Sequence, residues 1–276
     1  MSPHEAAKFV RGALPANGLF AEQEWRISPA PFSLGETLAK EIEKLGRVLL
    51  QFNRAVNLLY RRSVEGKQPS WISEWLDAGK PSWLIELQRN VVFKNEIPRV
   101  IRPDILLTEN GFSISELDSI PGGIGLTAWL HLTYAKIFKQ PESIEVIDRP
   151  ASTAIISKFS ASGLDPKWKD QSVLIGGADG MLRGFESIFG DAKNVHIVIS
   201  EEAATYRPEM EWVANQLGNS RFKIQNSKFS GFEAGDAVYR FFELFDVENI
   251  SNAKQIFELA LEKKIRLTPP PKPIFE

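Results

Sequence analysis

Apolar side chains recur at steps of three and four from Leu38 through Ile42, Leu45, Leu49, Phe52 and Val56 to Leu59, the period of an amphipathic helix. Ser33 with Glu36 three residues on makes a capping-box pattern, and Arg61 and Arg62 stand where a helix dipole favours cations, so a helix is expected over roughly 34–62. Before it, residues 1–32 carry Pro15, Pro29 and Pro31 and read as an arm without long regular elements. After it, Trp71 and Trp75, then Trp83 beyond a Gly-Lys-Pro break, predict two short helices whose tryptophans pack in the core.

From Val100 the period falls to two. VIRPDILLT, the turn Glu109-Asn110-Gly111 and FSISELD predict a β-hairpin. The loop from Ser119 through Pro121, Gly122 and Gly123 to Gly125 leads into a helix through TAWLHLTYAKIF, ended by Pro141. From about residue 171 to about 226, SVLIGG, ADGMLRGFESIFG, VHIVIS, RPEMEWVANQLG and RFKIQN alternate strand-like and helical patterns, a βαβαβ order that predicts a parallel sheet flanked by helices. AVYRFFELFD adds a strand or a short helix, and NAKQIFELALEKK a helix before the proline-rich TPPPKPIFE. The expected class is α/β: a helical N-terminal region with the hairpin in 1–150, and a Rossmann-like parallel-sheet domain in 151–276.

Composition narrows the functions this pattern can serve. With 43% hydrophobic and 25% charged residues in 276, the chain belongs among folded proteins and outside the disordered classes. A formal net charge of −2 supplies no global field for nucleic acid or an anionic membrane, so neither is expected as a partner. The absence of cysteine excludes disulfides, thiolate metal sites and cysteine nucleophiles, and fits the cytosol. The first twenty residues lack the apolar run of a secretory signal, and the uncharged stretch Ser119–Ala135 is too short and too rich in Gly and Pro to span a membrane, so a cytoplasmic location is expected.

Several familiar sites are missing from the sequence. Gly176, Gly177 and Gly180 do not meet the G-x-G-x-x-G spacing and read as a strand-to-helix turn. No phosphate loop of the G-x-x-x-x-G-K-[ST] type and no G-x-S-x-G occurs, and His4, His131 and His196 are too scattered for a zinc hydrolase. Tyr206-Arg207 opens a helix and reads equally as a ligand contact at a strand end or as a helix cap.

The hairpin carries the chemistry. A three-residue loop, Glu109-Asn110-Gly111, with glycine in the left-handed position sets Thr108 opposite Phe112, hence Asp104 opposite Glu116 and Arg102 opposite Asp118, all on one face. Asp104 against Glu116 is a like-charge pair that calls for a cation, and Arg102 supplies one positive charge. Oxygen-only donors in Asp104, Glu116 and Asp118 suit Mg²⁺ with a substrate phosphate. The plain alternative is a solvated hairpin face. The glycine-rich loop that follows, ahead of a helix N-terminus, favours an anion site.

The segment Arg102-Pro103-Asp104 with Glu116-Leu117-Asp118-Ser119 resembles the metal and phosphate hairpin of circularly permuted ATP-grasp ligases of the glutathionylspermidine synthase type. The stretch from Tyr206 to Trp212 and the Thr268–Pro273 segment extend the likeness over roughly 98–276. The resemblance implies Asp104, Glu116 and Asp118 as metal ligands and Arg102 as the catalytic group on the transferred phosphoryl. It implies Ser119, Gly122 and Gly123 as cofactor-binding positions of a substrate-side loop. Asp118 stands where the family has Asn, which keeps an oxygen donor and adds charge. The resemblance further implies a partial ATP-grasp fold with a pre-ATP-grasp-like sheet domain, Mg²⁺ and ATP as cofactors, and amide formation through an acyl phosphate between small-molecule or peptide carboxylate and amine substrates. The lysines and hydrophobic wall that hold ATP are expected from further sequence. Two rival expectations are a binding or scaffold module without catalysis and a Rossmann-like nucleotide-binding enzyme built on 171–226.

Overall fold

The computed structural model describes residues 1–15, 25–137, 174–218 and 220–276. They divide into two units interleaved along the chain: Met1–Leu34 with Gly123–Ser187 and Thr205–Gly218, and Gly35–Gly122 with Ile188–Ala204 and Asn219–Glu276. The domain boundary expected between 150 and 151, the helix end expected at Pro141 and the start of the SVLIGG segment lie outside the described residues.

The described elements of the first unit are helices. The expected arm contains helix α1 (Pro3–Gly12), because Ser2 accepts the Glu5 N–H while the Glu5 carboxylate takes the Ser2 N–H, and Pro3 falls in the first turn where no donor is lost. Helix α1 buries Ala6 and Val10, and Val10 joins Trp129 and Tyr134 of α5 (Ile124–Ile137) in one apolar cluster with Trp212 of α7 (Arg207–Gln216) against it. Helix α6 (Gly180–Ser187) follows a turn in which Gly176 and Gly177 both take φ +79°, so Leu174–Gly177 is turn rather than the expected strand.

The second unit holds both sheets. Strands β1 (Arg102–Thr108) and β2 (Gly111–Asp118) form the hairpin. Strands β3 (Val195–Ile199), β4 (Phe222–Asn226), β5 (Ala237–Phe241) and β6 (Arg266–Thr268) form a parallel sheet in the order β4-β3-β5-β6. Strands β3 and β5 are buried along their whole length, which is why VHIVI and AVYRF read as nearly continuous apolar runs. Strand order reverses between β3 and β5, the place where open α/β sheets bind ligands at the strands' carboxyl ends. One core joins Val198 and Val238 of the sheet to Ile256, Phe257 and Ala260 of α8 (Ala253–Leu261) and to Leu84 and Leu87 of α4 (Ser82–Arg89). Each of these buried side chains larger than alanine contributes about 1.5–3 kcal/mol.

Helix α2 (Glu36–Val64) starts at a Gly35 cap, so the Ser33–Glu36 box does not form. Its buried face differs from the apolar stripe: Leu49, Asn53, Asn57, Tyr60 and Ser63 are buried, whereas Phe52 and Leu59 are 51% and 43% exposed. Hydrogen bonding makes this face. Tyr60 donates to Asp77 Oδ1 at 2.8 Å and accepts from Gln88 and Arg89, and Ser63 donates to Pro69 O at 2.6 Å and meets Ser73 of α3 (Ser70–Asp77) at 3.0 Å. Because α3 offers Ser73 to α2, its tryptophans turn outward: Trp71 and Trp75 are 61% and 78% exposed, against the expected core packing. No helix among the described residues is long and apolar enough to cross a membrane.

The proline-rich segment is held by two buried cations. Arg240 of β5 donates to Pro269 O at 3.1 Å, Pro270 O at 3.0 Å and Phe242 O at 2.8 Å, and pairs with Glu276. Lys272 donates to Asn57 Oδ1 at 2.7 Å, Glu96 O at 2.8 Å and Lys94 O. Burial pushes the Lys272 pKa down to about 8, with Glu96 opposing the shift and Arg61 adding to it. Lys272→Met is expected to cost about 2–4 kcal/mol in urea unfolding, since three acceptors lose a charged donor. Above pH 8 the folded chain releases a proton that the unfolded chain keeps until about pH 10.4. Stability of the native chain relative to the variant therefore rises across that window.

Candidate functional site

The hairpin arrives at the expected pairing by a different route. Near the turn Thr108 faces Gly111, with Gly111 at φ +135°, and Leu107 faces Phe112, one residue out of the anticipated register. A β-bulge after Asp104 leaves Ser115 unpaired and restores the alignment, so Asp104 faces Glu116 and Arg102 faces Asp118. The four polar groups therefore share a face because of the bulge, not because of the loop.

Arg102 gathers the acids. Its Nε lies 2.9 Å from Asp104 Oδ1, Nη1 lies 3.3 Å from Asp118 Oδ2 and Nη2 lies 3.8 Å from Glu116 Oε1. Partial burial works against the charge on Arg102. The bond to Asp104 and the fields of Asp118, Asp104 and Glu116 outweigh it and raise the guanidinium's pKa. Asp104 and Glu116 are 44% and 63% exposed, so each pair is worth at most ~1 kcal/mol. Asp118 is the most enclosed of the three, and its Oδ1 also accepts the Ile120 N–H at 2.7 Å. Among the described residues no three acidic or histidine side chains converge as a metal cluster; these carboxylates converge on a guanidinium.

Ser119 follows Asp118 directly and is 4% exposed, and its Oγ has no hydrogen-bond partner. A buried hydroxyl left unpaired costs about 1–3 kcal/mol, which makes it the one expected cofactor-binding position with donor capacity in reserve. Gly122 is half-buried and closes this stretch of the second unit.

Gly123 begins the first unit and is already engaged. Glu209 of α7, fully buried, accepts the Gly123 N–H at 2.8 Å and the Leu126 N–H at 3.2 Å, so a carboxylate of the chain itself occupies the amino end of α5. Burial pushes the Glu209 carboxyl up, against the N–H groups of Gly123, Leu126 and Gly125 that favour its charged form. Gly125 permits the approach: a Cβ there would lie 2.6 Å from Glu209 O.

Three further groups escaped sequence reasoning. Glu209 could have been suspected only as an acid inside the apolar face of RPEMEWVANQ. Glu243, just past β5, has its pKa raised to about 7 by burial and by the Glu276 carboxylate; Arg240 opposes the shift and Asp118 adds to it. A titratable acid at the carboxyl edge of the parallel sheet thus shares a field with the end of β2. At the sheet's other end His196 and Asp236 form a buried pair at 3.0 Å. Gln225 meets the second ring nitrogen at 3.2 Å, so both nitrogens are spent and the ring is a structural tie.

No protein-family model matches the chain, and no curated protein matches it. The comparisons thus lend no support to the resemblance to ATP-grasp ligases drawn from the sequence.

Glu209→Ala is expected to cost about 2–4 kcal/mol and to speed hydrogen exchange at the Gly123 and Leu126 amides in particular, because buried donors lose a charged acceptor. Arg102→Gln is expected to cost about 1 kcal/mol in low salt, with the loss shrinking in about 1 M NaCl, where the screening length is ~3 Å.

Proposed function

We propose that this chain carries the phosphate-facing and metal-facing hairpin of an ATP-dependent carboxylate–amine ligase of the circularly permuted ATP-grasp kind. The observation that carries the reading is the bulged register that sets Arg102 between Asp104, Glu116 and Asp118 on one face. The buried Ser119 hydroxyl, next along the chain from Asp118 and without a hydrogen-bond partner, is a second support.

The donor set fits a hard divalent ion in kind, since every acidic group offers oxygen and Ser119 adds a neutral one. Asp104, Glu116 and Asp118, which converge on Arg102 and not on one another, would hold Mg²⁺ only once Arg102 turned away, and the ion would supply positive charge to the phosphates of ATP. Arg102 then turns part of its charge from the carboxylates to the phosphoryl in transit, where a planar guanidinium stabilises developing negative charge. A substrate carboxylate oxygen attacks the terminal phosphorus and ADP departs. An amine attacks the resulting acyl phosphate, phosphate departs with the bonding pair, and the amine loses a proton. Glu243, whose pKa burial and the Glu276 carboxylate raise, would be the acceptor of that proton.

A second reading has its own observation. Arg102 already serves three acids and Glu209 already fills the helix end at Gly123, an arrangement that also suits a module that binds without turnover.

Thermal shift with ATP tests the site. Mg²⁺-dependent stabilisation by ATP is expected for the native chain, and Asp104→Asn and Glu116→Gln are each expected to weaken it at least fivefold in apparent affinity. Unchanged stabilisation in both variants would make the assignment wrong. Stabilisation without ADP release across a screen of acids and amines would select the second reading.

A further inference from the structure

At the opposite end of the parallel sheet from Glu243, where β5 and β6 begin, the second unit contains a pocket of about 210 Å³. Its apolar lining includes Phe93, Phe189 and Ile265, all buried, and three cations reach it: Arg99, Lys263 and Arg266. Glu96 is the acid in the same lining.

Two of these cations make a single bond each and keep donors to spare. Arg99 spends one bond on Ile188 O at 3.2 Å and Arg266 one on Asp191 at 2.9 Å, whereas a guanidinium has five N–H groups. Lys263 is different. Its side chain has no hydrogen bond or ion pair among the described residues, while its neighbours Glu262 and Lys264 pair with each other at 2.7 Å.

Lys263 also has φ +56°, and among the described residues it alone, apart from glycines, has positive φ. It stands just past α8, where Lys264 N–H reaches back to Leu259 O at 2.9 Å and Lys263 N–H to Ala260 O at 3.1 Å. Helices that end in this way place glycine at the left-handed position, because any Cβ there is strained. A lysine in a glycine position, unpaired and at the mouth of an apolar pocket, is strain kept for the side chain.

We propose that this pocket binds a small amphipathic anion, a body the size of one aromatic ring bearing a single carboxylate or phosphate, with Lys263 as the group that selects for its charge. Arg99 and Arg266 supply a positive rim, and Phe93 and Phe189 receive the apolar body. The site is independent of the hairpin and of the reading given to it.

Lys263→Gly tests the idea without endangering the fold, since glycine suits the backbone better than lysine does. The whole chain, isotopically labelled, is titrated with phenyl phosphate, benzoate and benzyl alcohol while its amide resonances are followed. One or both anions are expected to shift the resonances of Phe93, Phe189 and Ile265, and the tighter of the two identifies the head group. Benzyl alcohol is expected to bind at least tenfold more weakly, and Lys263→Gly to weaken the anion at least fivefold with Tm equal or raised. The proposal is overturned if neither anion shifts those resonances at millimolar concentration, if the alcohol binds as well as the anions, or if Lys263→Gly binds like the native chain. A lowered Tm in Lys263→Gly would overturn it too, because the lysine would then serve the fold.

Discussion

A single guanidinium has to answer for three carboxylates on one short hairpin. Asp104 and Glu116 face each other across the ladder, an arrangement that repels, and Arg102 stands 2.9 Å from one and 3.8 Å from the other. Because Arg102, Asp104 and Glu116 are all well over a third exposed, the cluster adds little to stability, so the stability of the hairpin does not account for the acids. What the arrangement does supply is a face whose charge can be redistributed. Whatever draws Arg102 toward itself leaves three oxygen-bearing groups in want of a cation.

Elsewhere in the second unit, buried cations hold the chain's proline-rich segment. Arg240 and Lys272, both buried and both donating to backbone carbonyls, fasten the proline-rich segment to the sheet and to α2. Glu276 pairs with Arg240 and accepts the Leu244 N–H at 2.8 Å, which brings its charge beside Glu243. Glu243 in turn feels Asp118. An acid whose pKa is raised by burial and by the Glu276 carboxylate thus stands at the carboxyl edge of the sheet.

Local patterns made part of this legible. Strand alternation puts Arg102 with Asp104 and Glu116 with Asp118 on one face of their own strands, and the parallel sheet follows from the apolar runs of VHIVI and AVYRF. The bulge at Ser115 was not legible, because the loop assumption and the bulge each displace the register by one residue and so lead to the same pairs. Helix α2 misled because its packing is polar: Asn57 meets Lys94 and Lys272, which lie far along the chain. Trp71 and Trp75 misled for the same reason, since hydrogen bonding between Ser63 and Ser73 decides which side of α3 is buried. Glu209 lies 86 residues from the Gly123 amide it satisfies, and no local motif joins an acid to a glycine loop at that distance.

The central claim is that the bulged hairpin face takes up a divalent ion together with nucleotide phosphate. Manganese, a paramagnetic substitute for magnesium, reports this directly through broadening of nearby amide resonances when added in trace amount with ATP. The account predicts broadening centred on Asp104, Glu116, Asp118 and Ser119 that excess Mg²⁺ reverses. Broadening centred elsewhere, or none at these four residues with ATP present, would contradict it.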